Sequence, residues 1–489
     1  MRYVQPADRT QFVLMNTLDD LVPASHPVRI IDTVVEQIVT ANPDEFVCER
    51  DESDPGRPAF APQTMLKLSL YGYLINCRAS RKLETETKRN IELLWLLGTL
   101  SPDHWVIARY RREHGAQIKA VAKAFRQFLH AHEYIKGERV AIDGTKMKAN
   151  AKREMLSMEK IEKRLHRLDE QLEEYLKKLA ENDLRDDLAE ELDNLDSSVA
   201  VDEYLLNKII ALQKQVEELT AHKATLEQSG KAHLSPSDPD ALLMKTTDGK
   251  VPGYNVQLAV DDAYHMIAAA EVLTKQNDRT ALPHMVEAVQ KELGITPNEV
   301  VADKDYYTPD LLQQIETTTG ATCYVATPEK DEHASPVTFH YDASTDSYTC
   351  SAGRVLVLYQ KNKRKRQSLV NVYRGIQCSD CSLRAQCTTS KHGRIVHRYH
   401  NQDWREQFRE RMKQASSKAI IGLRKCLVEH PFGTIKLWGG KLPLLLRGLP
   451  KVATEVNLYA TAYNLRRLFH CATWETLTEQ IGSHSWRLA

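Results

Sequence analysis

Between residues 138 and 327, one long insert aside, short segments alternate in a fixed order that limits the folds open to the chain. ERVAID at 138–143 is β-branched and apolar at its centre, and reads as a strand ending in a carboxylate. GYNVQLAVDDA and HMIAAAEVLT follow as two strands, with the polar step at Asp261 and Asp262 marking a hairpin. DRTALPHMVEAVQKELG at 278–294 has helical spacing and stops at Gly294. NEVVADKDYY reads as strand plus turn. TPDLLQQIETTTG reads as a helix capped by Thr308 with Pro309 at its first position, and ATCYVAT as a last strand. Three strands able to pair antiparallel, followed by alternating units, imply a mixed sheet flanked by helices.

This is an α/β order, and it matches a ribonuclease-H-like core built from residues 136–154 and 231–330. Within the second part, 234–250 is rich in Ser, Pro and Asp and reads as a loop. Residues 155–230 form the insert. Met158, Ile161, Leu165, Leu168, Leu172, Tyr175 and Leu179 step by three and four, as do Leu205, Ile209, Leu212, Val216 and Leu219. Two amphipathic helices folded into an antiparallel coiled-coil hairpin account for this pattern, as a spacer or as a protein contact. An acidic stretch between them argues against DNA contact by the insert.

Residues 1–135 read as a helical domain with a basic surface, either a DNA-binding face or a solvated helix face. In it, SPDHWVIARYRRE places Ser101 as N-cap, Pro102 first in the helix, and Arg109, Arg111 and Arg112 after them. Residues 331–402 read as a small β-rich insert with a cysteine cluster and a basic run. Residues 403–489 read as a helical part of the core, ending in an amphipathic helix, TEVNLYATAYNLRRLF.

Lys+Arg and Asp+Glu both total 66, so the formal charge is zero; nucleic-acid binding depends on where the cations sit. No signal-peptide core or bilayer-length apolar run is present, which points to a soluble, cytoplasmic protein without membrane contact. In that compartment the cysteines are not expected to form disulfides. Cys350, Cys378, Cys381 and Cys387 suit a structural Zn²⁺ site, with His392, His397 and His400 close enough in sequence to replace a thiol. Buried or redox-active thiols are the other reading. KNKRKR at 361–366, with Lys363, Arg364, Lys365 and Arg366, reads as a loop gripping the DNA backbone or as a solvated turn.

Phosphodiester cleavage calls for an aimed nucleophile and neutralised phosphoryl charge, which two metal ions supply when held by a few carboxylates. Asp143 ends the first strand and Asp303 ends VVAD, the strand-end positions where such sites collect. Glu429, in RKCLVEHPFGTIK, is the candidate third carboxylate from a neighbouring helix. Asp305 is a rival to Asp303, which the apolar VVA favours.

VAIDGTKMKANA, GYNVQLAVD, VVADKDYY and VEHPFGTIK together resemble the DDE transposases of bacterial insertion sequences, in the cut-and-paste group with an E-x6-K motif. The cysteine spacing, AYNLRRL, GRPAFAP and LSPDHWVIARYRRE resemble one subgroup, so the likeness covers nearly the whole chain outside the insert. The resemblance implies Asp143, Asp303 and Glu429 as ligands to Mg²⁺ or Mn²⁺, and Lys436 on a phosphate of the transposon end. Helical spacing would return Lys436 to the face of Glu429, unless Pro431 and Gly433 interrupt that helix. Where the family has Tyr and Arg ahead of the Glu, this chain has Gly422 and Lys425, with Arg424 beside the latter as a substitute. The implied activity is cutting at element ends and transfer of a 3′-hydroxyl to target DNA, by a homodimer on double-stranded DNA. A ribonuclease-H-like nuclease without joining, and a transposase-derived DNA-binding protein, are the alternatives.

Overall fold

The computed structural model describes residues 17–47, 59–190, 198–246, 249–328, 337–365, 368–439 and 443–488. The N-terminal third is helical. α1 (Pro27–Ala41) is capped by the His26 ring and buries Val28, Ile31, Val35 and Ile38 along one stripe. α2 (Pro62–Leu74) is buried along most of its length. α3 (His104–Glu113) begins later than expected. Asp103 is its cap, accepting from the Val106 N–H at 2.9 Å, while Ser101 bonds the Thr87 hydroxyl. Of its three arginines, Arg109 and Arg112 face outward, but Arg111 is buried and donates to the Arg78 carbonyl, so the basic surface is smaller than the sequence suggests. α4 (Gly115–Ala131) completes this part.

The first sheet starts with β1 (Arg139–Lys148), and the chain then leaves it through α5 (Met158–Glu190) and α6 (Ser198–Ser229). It returns through β2 (Leu242–Thr246), β3 (Gly249–Asp261), β4 (Ile267–Leu273), α7 (Ala281–Leu293), β5 (Glu299–Ala302), α8 (Pro309–Thr319) and β6 (Thr322–Val325). The order is β2-β3-β1-β5-β6, with β4 also paired to β3. β1–β3 and β3–β4 are antiparallel; β1–β5 and β5–β6 are parallel. The expected mixed sheet is therefore present, with two differences. β1 continues beyond Asp143, because Thr145 and Met147 find partners in Val256 and Tyr254, so Asp143 lies mid-strand opposite Leu258. Residues 242–246, read as loop, form a strand because the free edge of β3 offers them a full ladder.

α5 and α6 pack as a helical hairpin. At its root Leu156, Ile161, Leu226 and Leu234 form a small core, and the Leu156 and Leu234 backbones exchange two hydrogen bonds of 2.8 Å. Lys223 meets Glu162 across the pair, and the Leu156–Leu234 bridge at the root is antiparallel. The acidic 191–197 lie outside the described residues.

A second, antiparallel sheet follows, of β7 (Phe339–Asp342), β8 (Ser347–Cys350), β9 (Val355–Lys365), β10 (Ser368–Gly375) and β11 (Ile395–Tyr399). Residues 361–365 are strand rather than loop, since Lys363, Arg364 and Lys365 pair with Val370, Leu369 and Ser368. Asp310 of α8 ties this sheet to the first: it accepts from Ser368, from Asn401 at 2.9 Å and from Arg405 at 2.7 Å.

α9 (Gln402–Lys413), α10 (Ala415–Gly439) and α11 (Leu449–Cys471) follow, and a short helix at Trp474–Ser483 closes the chain. α10 and α11 cover one face of the first sheet, with Phe432, Ile435, Val456 and Tyr459 against Thr145, Met147, Val256 and Leu258. α7 covers β3 and β4. α11 is not amphipathic in place: nearly every residue from Thr454 to Leu465 is buried, because it is wedged between β4, α2 and α4. Among the described residues no helix is long and apolar enough to cross a membrane.

Candidate active site

The parallel pairing of β1 with β5 sets the geometry. It brings Asp143 on β1 within electrostatic reach of Asp303, the residue just after β5. Asp303 caps a short 3₁₀ turn and accepts the Asp305 N–H at 2.7 Å, so its carboxylate is held by local backbone. In this turn Asp303 contributes its carboxylate and Asp305 its backbone N–H. Asp143 accepts the Gly144 N–H at 2.8 Å through Oδ1 and Arg424 at 2.7 Å through Oδ2. Burial pushes the Asp143 carboxyl above the usual range; Arg424 and the Gly144 N–H pull it back, and Asp303 pushes it further up.

Arg424 comes from α10, which runs unbroken through Pro431 and Gly433. Packing of Phe432 and Ile435 on the sheet holds that segment helical despite the missing proline N–H. Glu429 and Lys436 therefore ride the same helix about two turns apart. Glu429 is 65% exposed, 3.9 Å from Lys425, and Lys436 is exposed beside Phe432. Asp143, Asp303 and Glu429 do not form a closed ligand set: among the described residues no three His, Cys, Asp or Glu side chains are grouped to hold a metal ion.

On the opposite side of β1 lies a polar network that the sequence reading missed. Gln257 and Asn255 of β3 are fully buried. The Gln257 amide donates to Asp278 at 2.8 Å and to Asn255 at 2.9 Å, and its oxygen accepts the Tyr306 hydroxyl. Asn255 and Lys146 also donate to Asp278. A Cβ on Gly144 would lie 2.0 Å from the Gln257 amide nitrogen, so the glycine beside Asp143 makes room for this network. Tyr306 follows Asp303 by three residues, so its hydroxyl ties the turn after β5 to Gln257 on β3. The signal was in the sequence: two amides spaced by two, on one face of an otherwise apolar strand.

Lys363, Arg364 and Lys365 are exposed on β9, while Arg366 lies outside the described residues. Cys350, Cys378, Cys381 and Cys387 all border one small pocket, as partly exposed free thiols, and burial raises the Cys387 thiol. They too fall short of a closed ligand set.

Comparison with known families supplies the rest. Residues 16–113 match a family described as a transposase domain (DUF772), and residues 349–469 match one described as a transposase DDE domain. No curated protein matches. A cryo-EM structure of a piggyBac transposase synaptic complex with hairpin DNA aligns at 10% identity over 94% of this chain and 85% of the other. Its TM-score of 0.24 is too low to bear on the fold. A DDE domain implies a divalent metal cofactor in general. Both family models describe transposases and they match at opposite ends of the chain, so this protein is a DDE-type DNA transposase, consistent with those of insertion sequences.

Proposed function

We propose that this transposase cuts at the ends of an insertion sequence and joins the freed 3′-hydroxyl to target DNA, using Asp143, Asp303 and Glu429. The observation that carries this reading is the meeting of Asp143 and Asp303 on adjacent parallel strands, under a helix bearing Arg424, Glu429 and Lys436. The core is read as ribonuclease-H-like, supported by its strand order β4-β3-β1-β5-β6 with only β3 antiparallel to its neighbours. Residues 136–154, 231–330 and 403–489 make up that core, 1–135 the DNA-binding domain, 155–230 a coiled-coil insert and 331–402 the cysteine insert.

The donor set suits Mg²⁺ or Mn²⁺: hard carboxylate oxygens, with Asp143 partly buried beside Asp303. When bound, the metal would supply charge neutralisation at the phosphoryl group. Asp143 and Asp303 would hold it, and Glu429 would join from α10 after parting from Lys425. Lys436, Arg424 and Lys425 would contact DNA phosphates and so set its register. The working enzyme, with two element ends to cut, is read as a homodimer on double-stranded DNA in the cytoplasm. The test is strand transfer on DNA carrying the element's ends, with Mg²⁺ and with EDTA. Cutting and joining only with metal supports the reading; nicking without joining would favour a plain nuclease.

In the absence of DNA, Arg424 occupies the charge-balancing position on Asp143. Arg424→Ala is expected to raise the affinity of the DNA-free protein for Mn²⁺ about tenfold, read by titration calorimetry. An unchanged affinity, with Mn²⁺ still lost in Asp143→Asn, counts against a competing role for Arg424.

The four cysteines around one pocket support a structural Zn²⁺ as a second metal. Elemental analysis of protein purified without chelator is expected to return zinc near one per chain, and its absence removes this assignment.

A further inference from the structure

Residues 347–400 carry eleven Lys and Arg against one carboxylate, Asp380, a formal charge of +10 in a chain whose total is zero. These residues span β8 to β11 of the second sheet. One face of that sheet is packed, with Tyr348, Leu356 and Tyr373 as its core. An antiparallel sheet with one packed face ordinarily turns polar side chains outward on the other. Here it does not. Val357, Arg374 and Ile395 stand side by side across β9, β10 and β11. Val357 and Ile395 are each 40% exposed, Val355 46% and Tyr359 62%. The Arg374 guanidinium lies over the Tyr359 ring at 5.2 Å. On the same face of β10, Val372 and Val370 are buried, so the exposure begins at the Arg374 row and is confined to one patch.

Scattered exposed apolar residues need no explanation, but a contiguous patch does. Duplex DNA offers mainly phosphates at its surface and would use the charge while leaving the apolar side chains without a partner. A protein partner would have to be strongly acidic. Unpaired DNA offers both phosphates and exposed base faces, which stack on aromatic side chains and arginine. We propose that this open sheet face, centred on Tyr359 and Arg374, binds single-stranded DNA, such as a strand left unpaired beside a cut end. The proposal rests on reading the chain as a transposase, but it involves neither the carboxylates nor metal.

The test uses the full chain in EDTA, a fluorescein-labelled oligothymidylate of about 20 nucleotides and a duplex of equal length, read by anisotropy. Tyr359→Ala is expected to weaken oligothymidylate binding about tenfold and duplex binding less than twofold. Tyr359→Phe, which keeps the stacking surface, is expected to bind like wild type. Equal loss on both DNAs, or no loss, overturns the proposal in favour of a plain phosphate patch. So does a fall from dimer to monomer by light scattering in Tyr359→Ala without any change in single-strand affinity, which would make the face a contact between copies. Because no cutting is scored, a protein that transfers strands yet fails here refutes this inference alone.

Discussion

Asp303→Asn is expected to lower strand cleavage and joining on the order of a thousandfold or more, while DNA binding stays near wild type. The substitution removes charge and leaves shape. Asn remains a good cap for the 3₁₀ turn, because its side-chain oxygen can still accept the Asp305 N–H. Folding should therefore survive, as thermal denaturation will check. Asp143→Asn is the poorer first choice, since it also deprives Arg424 of its ionic partner. A matched Asp305→Asn serves as control: its side chain holds nothing in the turn. If Asp305→Asn is inactive and Asp303→Asn cuts normally, the metal-binding role passes to Asp305.

Gln257→Leu is expected to destabilise the protein by about 2–4 kcal/mol and to depress cleavage with it. The change leaves the buried Tyr306 hydroxyl without its acceptor and Asn255 without one of its donors. An unsatisfied buried polar group costs about 1–3 kcal/mol, whereas replacing both partners by apolar groups is nearly neutral. Adding Tyr306→Phe to Gln257→Leu should therefore recover about half of the lost stability in urea denaturation. If the double variant is no more stable than the single, Tyr306 does not depend on Gln257. The network would then be a set of independent bonds rather than one brace under both aspartates.

Much of the core was legible from local pattern. β-branched runs gave the strands, Gly294 and Gly320 ended helices in the left-handed conformation, and the apolar VVA set Asp303 just past β5. These depend on a residue and its near neighbours, which is why they read directly. Tertiary contact decided the rest. Asp143 is mid-strand because β3 supplies a ladder beyond it, and its ion pair with Arg424 spans 281 residues. α10 passes Pro431 unbroken because the sheet holds Phe432 and Ile435.

Arg111 turned inward to the Arg78 carbonyl and the Tyr73 ring, and α11 was buried between β4, α2 and α4, and no periodicity in their own segments records these contacts. The sequence by itself determined most of the order of elements, the edge strand at 242–246 and the strand at 361–365 aside, and the carboxylates available to the site. Only the tertiary structure decided which charges face one another, because burial and Coulomb interaction depend on distance in space, which the chain sets only after it has folded.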